Sequence, residues 1–314
     1  MLVLSAILGA ATQLDAVAIA APASNLFAVV DQEGLLVHGG GVSGVTHIGA
    51  GRYEVSFVND VSRCAYLATT TNADTPDLVV FTAGGHLSTN GVYVETKNQG
   101  GELMDGPFNL VVSCGAPGTK FAVVGAQKAL IWRSTPGVTL VNRGGGRYLV
   151  SFPKPVSSCA FLATVGHQSN GVVRDPAGVY TGSGPDARTV YVETKNLAGG
   201  LQDGIPFHLA VLCPEAASIR TAVVDASGAF VRGSAATTSS RSALGNYTVE
   251  TDQDVSECAA LGTRGSVDMD VPFNPATVEV DRGPTSDAVS FQVREMLFFG
   301  GDFTDQAFHA AIVC

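Results

Sequence analysis

The chain repeats itself three times, and this repetition narrows the folds open to it more than any other feature. An opening Phe27-Ala28-Val29-Val30 returns as Phe121-Ala122-Val123-Val124 and as Thr221-Ala222-Val223-Val224. A tyrosine-centred run follows each opening: Gly51-Arg52-Tyr53-Glu54-Val55-Ser56-Phe57, then Gly146-Arg147-Tyr148-Leu149-Val150-Ser151-Phe152, then Gly245-Asn246-Tyr247-Thr248-Val249-Glu250-Thr251. Next comes a Val-Ser-x-Cys-Ala element holding Cys64, Cys159 and Cys258. A closing block runs from Val92-Tyr93-Val94-Glu95-Thr96-Lys97-Asn98 to Cys114, and from Val190-Tyr191-Val192-Glu193-Thr194-Lys195-Asn196 to Cys213. Its third copy has diverged, from Phe291-Gln292-Val293-Arg294 to Cys314. A unit of about 90 residues is too long for a solenoid repeat and has the size of one small sandwich domain.

Four segments result: an apolar N-terminal segment over 1–25 and repeats over 26–114, 120–213 and 220–314. The connections, Gly115 to Lys120 and Pro214 to Arg220, are too short for flexible beads and place the repeats in contact. Within the repeats the residues alternate. Tyr53, Val55 and Phe57 share one face, as do Phe108, Leu110 and Val112, and Phe207, Leu209 and Val211, which is the period of half-buried strands. Gly39-Gly40-Gly41 and Gly144-Gly145-Gly146 mark turns, and glycine reaches 37 of 314 residues. The expected fold is all-β, with seven or eight short antiparallel strands per repeat packed as a sandwich. A hydrophobic share of 46% excludes a disordered chain. A net charge of −10 without a basic stripe excludes nucleic acid as partner and an electrostatic grip on anionic membranes.

Leu2 to Ala11 is apolar, and Asp15 is the one charge before residue 25. Ala18-Ile19-Ala20 and Ala21-Pro22-Ala23 suit signal peptidase, yet no Lys or Arg precedes Arg52. Residues 1–25 therefore read either as a signal peptide or as a short apolar helix that docks on the body or an assembly; the run is too short to span a bilayer.

Six cysteines occur, two per repeat at matching places, separated by 50, 54 and 56 residues. That regularity selects one pairing of fifteen: Cys64–Cys114, Cys159–Cys213 and Cys258–Cys314. Buried free thiols are the alternative, and the absence of Cys-x-x-Cys argues against a metal knuckle. Bridges imply an oxidising compartment, and hence a secreted protein or an extracellular particle.

The Gly-x-Tyr-x-Val-x-Phe strand, the Val-Ser-x-Cys-Ala-(Tyr/Phe)-Leu-Ala-Thr element and the closing block through Pro107-Phe108 and Pro206-Phe207 resemble the knob domains of phage tail or head fibres and of bacterial collagen-like proteins. The resemblance covers 26–314, three times. It implies small jelly-roll sandwiches related in shape to H-type lectins, assembled as trimers at a fibre tip and binding surfaces or sugars. Two departures stand out: no stalk precedes the knobs, and three copies share one chain. The tandem copies are therefore expected either to close into an intramolecular pseudo-trimer or to string out as a rod.

No Gly-x-Ser-x-Gly elbow, His-Glu-x-x-His or phosphate loop occurs, so no catalytic residue, cofactor or metal is expected. His208 and His309 occupy matching places, with Asn109 in the first copy; their alternation turns them away from the domain core, toward an inter-repeat face or an axial ring. Asp105, Asp203 and Asp305 recur before the Pro-Phe or Ala-Phe turn, as turn caps or, with further oxygens, as calcium ligands. Tyr93 and Tyr191 offer either inter-repeat packing or exposed platforms for a sugar. Trp132 reads as packing, and Asp268-Met269-Asp270 is a weak acidic pair in a loop. Segments 69–91, 165–189 and 263–288 share almost no residues, so ligand specificity is expected there, with His167 and Tyr180 as further candidates. The sequence thus reads as a non-enzymatic extracellular or virion-surface recognition protein for a glycan or surface polymer. The alternative is a structural subunit of a capsid decoration, fibre or appendage, partnered by sister subunits.

Overall fold

The computed structural model describes residues 25–71, 78–131, 133–174, 176–216, 218–269, 275–296 and 301–314. The N-terminal segment 1–24, Trp132 and Asp270 lie outside the described residues.

The described chain is all-β, with twenty-three strands and no helix. Repeat one contributes β1 (Leu26–Val30), β2 (Leu36–Gly40), β3 (Val42–Gly49), β4 (Arg52–Phe57), β5 (Ala65–Thr70), β6 (Val79–Gly84), β7 (Gly91–Lys97) and β8 (Phe108–Ser113). Repeat two contributes β9 (Thr119–Val124), β10 (Thr139–Gly144), β11 (Arg147–Ser151), β12 (Ala160–Val165), β13 (Ala177–Ser183), β14 (Thr189–Asn196) and β15 (Phe207–Leu212). Repeat three contributes β16 (Ile219–Val224), β17 (Phe230–Gly233), β18 (Thr238–Ala243), β19 (Asn246–Glu250), β20 (Ala259–Arg264), β21 (Ala276–Arg282), β22 (Ala288–Glu295) and β23 (Phe308–Val313).

Each repeat folds as two facing antiparallel sheets. In repeat one the orders are β2-β1-β8-β5 and β3-β4-β7-β6, and repeat three repeats both as β17-β16-β23-β20 and β18-β19-β22-β21. Among the described residues of repeat two the place of β2 holds an isolated bridge, Val124 with Leu130, and the sheets are β12-β15-β9 and β10-β11-β14-β13. The chain passes between sheets at most connections, which gives a jelly-roll-like sandwich. The alternation read from the sequence is the reason: Tyr53, Val55 and Phe57 of β4 meet Phe108, Leu110 and Val112 of β8 in the core of repeat one. Three disulfides join the paired cysteines, Cys64 to Cys114, Cys159 to Cys213 and Cys258 to Cys314. Each ties the start of one inner-sheet strand to the end of its neighbour, and the bridges fit an oxidising environment.

A fourth core lies where the repeats meet. The inner sheets have a second buried face, so β5, β12 and β20 are apolar on both sides. Ala65 and Leu67, Ala160 and Leu162, and Ala259 and Leu261 join Val111, Ala210 and Ala311 in one cluster shared by all three repeats. This is the sheet counterpart of a hydrophobic run buried on two faces.

The same contact closes the ring three times. Thr164 Oγ1 accepts from Ala68 N at 2.9 Å and donates to Ala68 O at 3.1 Å, joining repeats two and one. Thr263 clasps Ala163 in the same way, at 2.9 and 3.1 Å. Thr69 clasps Gly262, at 3.0 and 3.2 Å, joining repeat one back to repeat three. Parallel bridges follow the same order: Thr82 with Gly166, Thr181 with Gly265, and Thr71 with Val280. Asn25 Nδ2 donates to Ser218 O and Cys314 O, tying the first described residue to the last. The repeats thus form a closed pseudo-trimer and not a rod.

Candidate binding sites

The histidines sit between repeats. His208 Nδ1 accepts from Tyr66 N at 2.9 Å, and His309 Nδ1 accepts from Phe161 N at 2.9 Å. These strand-edge N–H groups point out of their own sheet and need an acceptor. Accepting at Nδ1 places the proton of each neutral ring on Nε2, which faces His167 O at 3.2 Å and Ser266 O at 3.3 Å. Each imidazole also stacks on the aromatic ring whose N–H it holds, Tyr66 at 5.0 Å and Phe161 at 5.1 Å between centroids. A guanidinium covers that ring: Arg133 over Tyr66 at 5.0 Å and Arg232 over Phe161 at 5.3 Å. Burial holds both imidazoles neutral, with the nearby arginines adding to the effect; His208 is pushed well below its ordinary value and His309 down to about 3. The two histidines belong to two different interfaces, so no axial ring of Asn109, His208 and His309 forms.

The tyrosines are not open platforms. Tyr93 is 4% and Tyr191 is 8% exposed. Their hydroxyls donate to Glu95 and Glu193, and Tyr93 stacks on His86 at 3.8 Å. The sequence reading missed what covers this outer face. The 85–90 turn folds over it, because Glu54 accepts the N–H groups of His86, Leu87 and Ser88. Lys97, paired with Glu95 at 2.9 Å, donates to Val173 O of the next repeat. Tyr180 is also buried, its ring covered by Lys195 and by Arg264 of repeat three. Burial lowers the Arg264 pKa to about 10. Desolvation raises the hydroxyl pKa of Tyr93, Tyr180 and Tyr191.

His167 is partly exposed. Its Nδ1 accepts from Ser169 N and Gly171 N, and it borders a cleft of about 240 Å³ with Arg174, Gln202 and Asp203. Val172, Val173 and Ile205 form the apolar part of the wall. The cleft draws on segment 165–189, one of the three that differ between repeats.

The recurrent aspartates cap turns. Asp105, Asp203 and Asp305 accept from Gly51 N, Gly146 N and Gly245 N at 2.6, 2.7 and 2.8 Å. Those glycines lie at φ +63°, +71° and +64°, where a side chain is disfavoured. Asp105 and Asp305 also accept from Tyr53 and Tyr247, whose burial raises both hydroxyls to about 12. Among the described residues no three His, Cys, Asp or Glu side chains gather as a metal cluster.

The third interface departs from the other two. Ala260 stands where Tyr66 and Phe161 stand, by strand register, and Asn109 replaces the histidine. Asn109 donates instead to Thr71 of its own repeat. Between repeats three and one lies a cavity of about 400 Å³ bordered by His38, Thr71, Asn109, Val255 and Ala260. The clasp threonines end a recurring triplet, Leu-Ala-Thr at 67–69 and 162–164 and Leu-Gly-Thr at 261–263, which does not itself show that the hydroxyl reaches another repeat. Compared with protein-family models, curated proteins and solved structures, the chain matches none.

Proposed function

We propose that this chain is a non-enzymatic recognition or adhesion protein of fibre-knob type, working outside the cell or on a virion surface and binding a glycan or another surface polymer. The closed pseudo-trimer is the observation that carries the reading. On this reading one covalent chain supplies the three sandwiches that a trimeric knob takes from three chains, each sandwich with its own disulfide, and its loops would carry recognition. The His167 cleft is the proposed contact surface: Arg174, Gln202 and Asp203 offer donors and acceptors to hydroxyls, beside an apolar wall. A glycan array with the full chain and with Arg174→Ala tests it. Binding that weakens in the variant supports the reading, and binding indifferent to Arg174 removes the cleft from it.

A structural subunit is the second reading, favoured by one observation. Apolar side chains stand exposed on the first hairpin of repeat one, Leu35 at 64% and Leu36 at 42%, and on that of repeat three, Phe230 at 36% and Val231 at 45%. Sister subunits would cover them. Concentration-dependent assembly lost on Leu35→Ser/Leu36→Ser supports this reading, and a monomer at all concentrations refutes it.

A further inference from the structure

We propose that the cavity between repeats three and one binds a compact aromatic molecule, whose ring takes the place of the aromatic side chain that this interface lacks. The proposal stands apart from the glycan reading and from the His167 cleft. One inter-repeat interface differs from its two sisters in the same molecule.

In each sister interface a guanidinium, an aromatic ring and an imidazole lie together: Arg133, Tyr66 and His208 in one, Arg232, Phe161 and His309 in the other. In the third interface the ring is missing and smaller groups stand at the other two places. His38 takes the register place of Arg232, as both lie opposite the same valine of the opening strand, Val29 or Val223. Ala260 takes the place of the ring, and Asn109 that of the imidazole. Among the described residues no side chain fills the gap. Thr69 still clasps Gly262 and Thr71 still bridges Val280, so the walls stay at the spacing of the filled interfaces. The result is the cavity of about 400 Å³, within the range of small-molecule sites.

Two polar groups beside it have no hydrogen-bond partner among the described residues. His38 Nε2 is buried without a hydrogen bond. No side chain among the described residues reaches Ala260 N, the counterpart of the N–H groups held by His208 and His309. A buried donor left open is unfavourable. An aromatic ring would fill the apolar space among Val255, Val280 and Val289. In repeat one the Tyr66 hydroxyl donates to Val61 O, and Val255 is the counterpart of Val61. A phenol is therefore the favoured shape.

The test is titration of the full chain with p-cresol, followed by amide NMR, with glucose as the control. The expected result is saturable 1:1 binding, with shifts at Ala260, Thr71 and Asn109 and none with glucose. Ala260→Phe supplies the missing ring from within. It should raise Tm and weaken p-cresol binding by about tenfold or more. Should Ala260→Phe fail to fold, Asn109→His narrows the cavity from the opposite wall and should weaken binding in the same sense. The proposal is overturned by a wild-type chain indifferent to p-cresol, by shifts that cluster elsewhere, by glucose in the cavity instead, or by a folded variant that binds as tightly as wild type.

Discussion

Removing one threonine clasp measures how strongly the ring is held. Thr164→Val keeps the shape of the side chain and deletes the hydroxyl that both accepts from Ala68 N and donates to Ala68 O. Two hydrogen bonds at about 0.5–1.5 kcal/mol each set the loss at about 1–3 kcal/mol, with the upper end expected because Ala68 N is left without an acceptor in a buried place. Thr164→Ser keeps the hydroxyl and should lose only about 1 kcal/mol, the worth of one buried methyl group. Thr69→Val and Thr263→Val should match Thr164→Val, since their clasps have the same geometry. The losses in a triple variant will not simply add, because all three clasps close one ring. The assay is urea unfolding with disulfides intact, comparing midpoints at constant slope. A Thr164→Val variant within about 0.5 kcal/mol of wild type would refute the reasoning, for that is the noise of an ordinary surface change.

Three further outcomes follow. Acid should destabilise the chain through His208 and His309: both are held neutral when folded, so their contribution is complete above the unfolded value near 6.5 and drains as pH falls below it, for His309 down to about 3. The loss should approach about 1.4 kcal/mol per pH unit for each residue, and His309→Asn should flatten the slope of stability against pH; a slope unchanged by that variant refutes it. Lys97→Met removes the nearer cation from the buried Glu95, which keeps Arg52 at 3.8 Å and the Tyr93 hydroxyl, so the cost by chemical denaturation should fall below the roughly 3–5 kcal/mol of an uncompensated buried charge, while Lys97→Met/Glu95→Leu recovers much of it; a double variant as unstable as the single one contradicts the pairing. Cys64→Ala/Cys114→Ala opens a loop of 50 residues and should cost about 4 kcal/mol in the chain-entropy picture, and a Tm unchanged in that variant would count against it.

The strands and bridges were legible because their signals are local. Alternation in Tyr53-Glu54-Val55-Ser56-Phe57 and paired cysteines in each copy survive in any context. Closure of the ring depends on facts that one repeat does not carry. Thr69, Thr164 and Thr263 follow Leu-Ala or Leu-Gly in a strand, and nothing in that triplet says that the hydroxyl reaches another repeat. The tyrosines illustrate the opposite error. Tyr93 lies opposite the core face of its strand, which suggests exposure, but Glu54 gathers a turn over it and the next repeat supplies the rest of the cover. His208 and His309 were placed at an inter-repeat face from their alternation, while their hydrogen bonds to strand-edge N–H groups needed the register between repeats. The Ala260 position carried a signal that only the aligned repeats express: Tyr66, Phe161 and Ala260 follow the same Cys-Ala pair.

Small-angle scattering from the full chain tests the closed ring most directly. A compact chain of 314 residues has a radius of gyration of about 20 Å, and the closed pseudo-trimer predicts a value near it. Three sandwiches strung end to end, each about 13 Å in radius of gyration, would give about 25 Å or more, and that result would contradict the account.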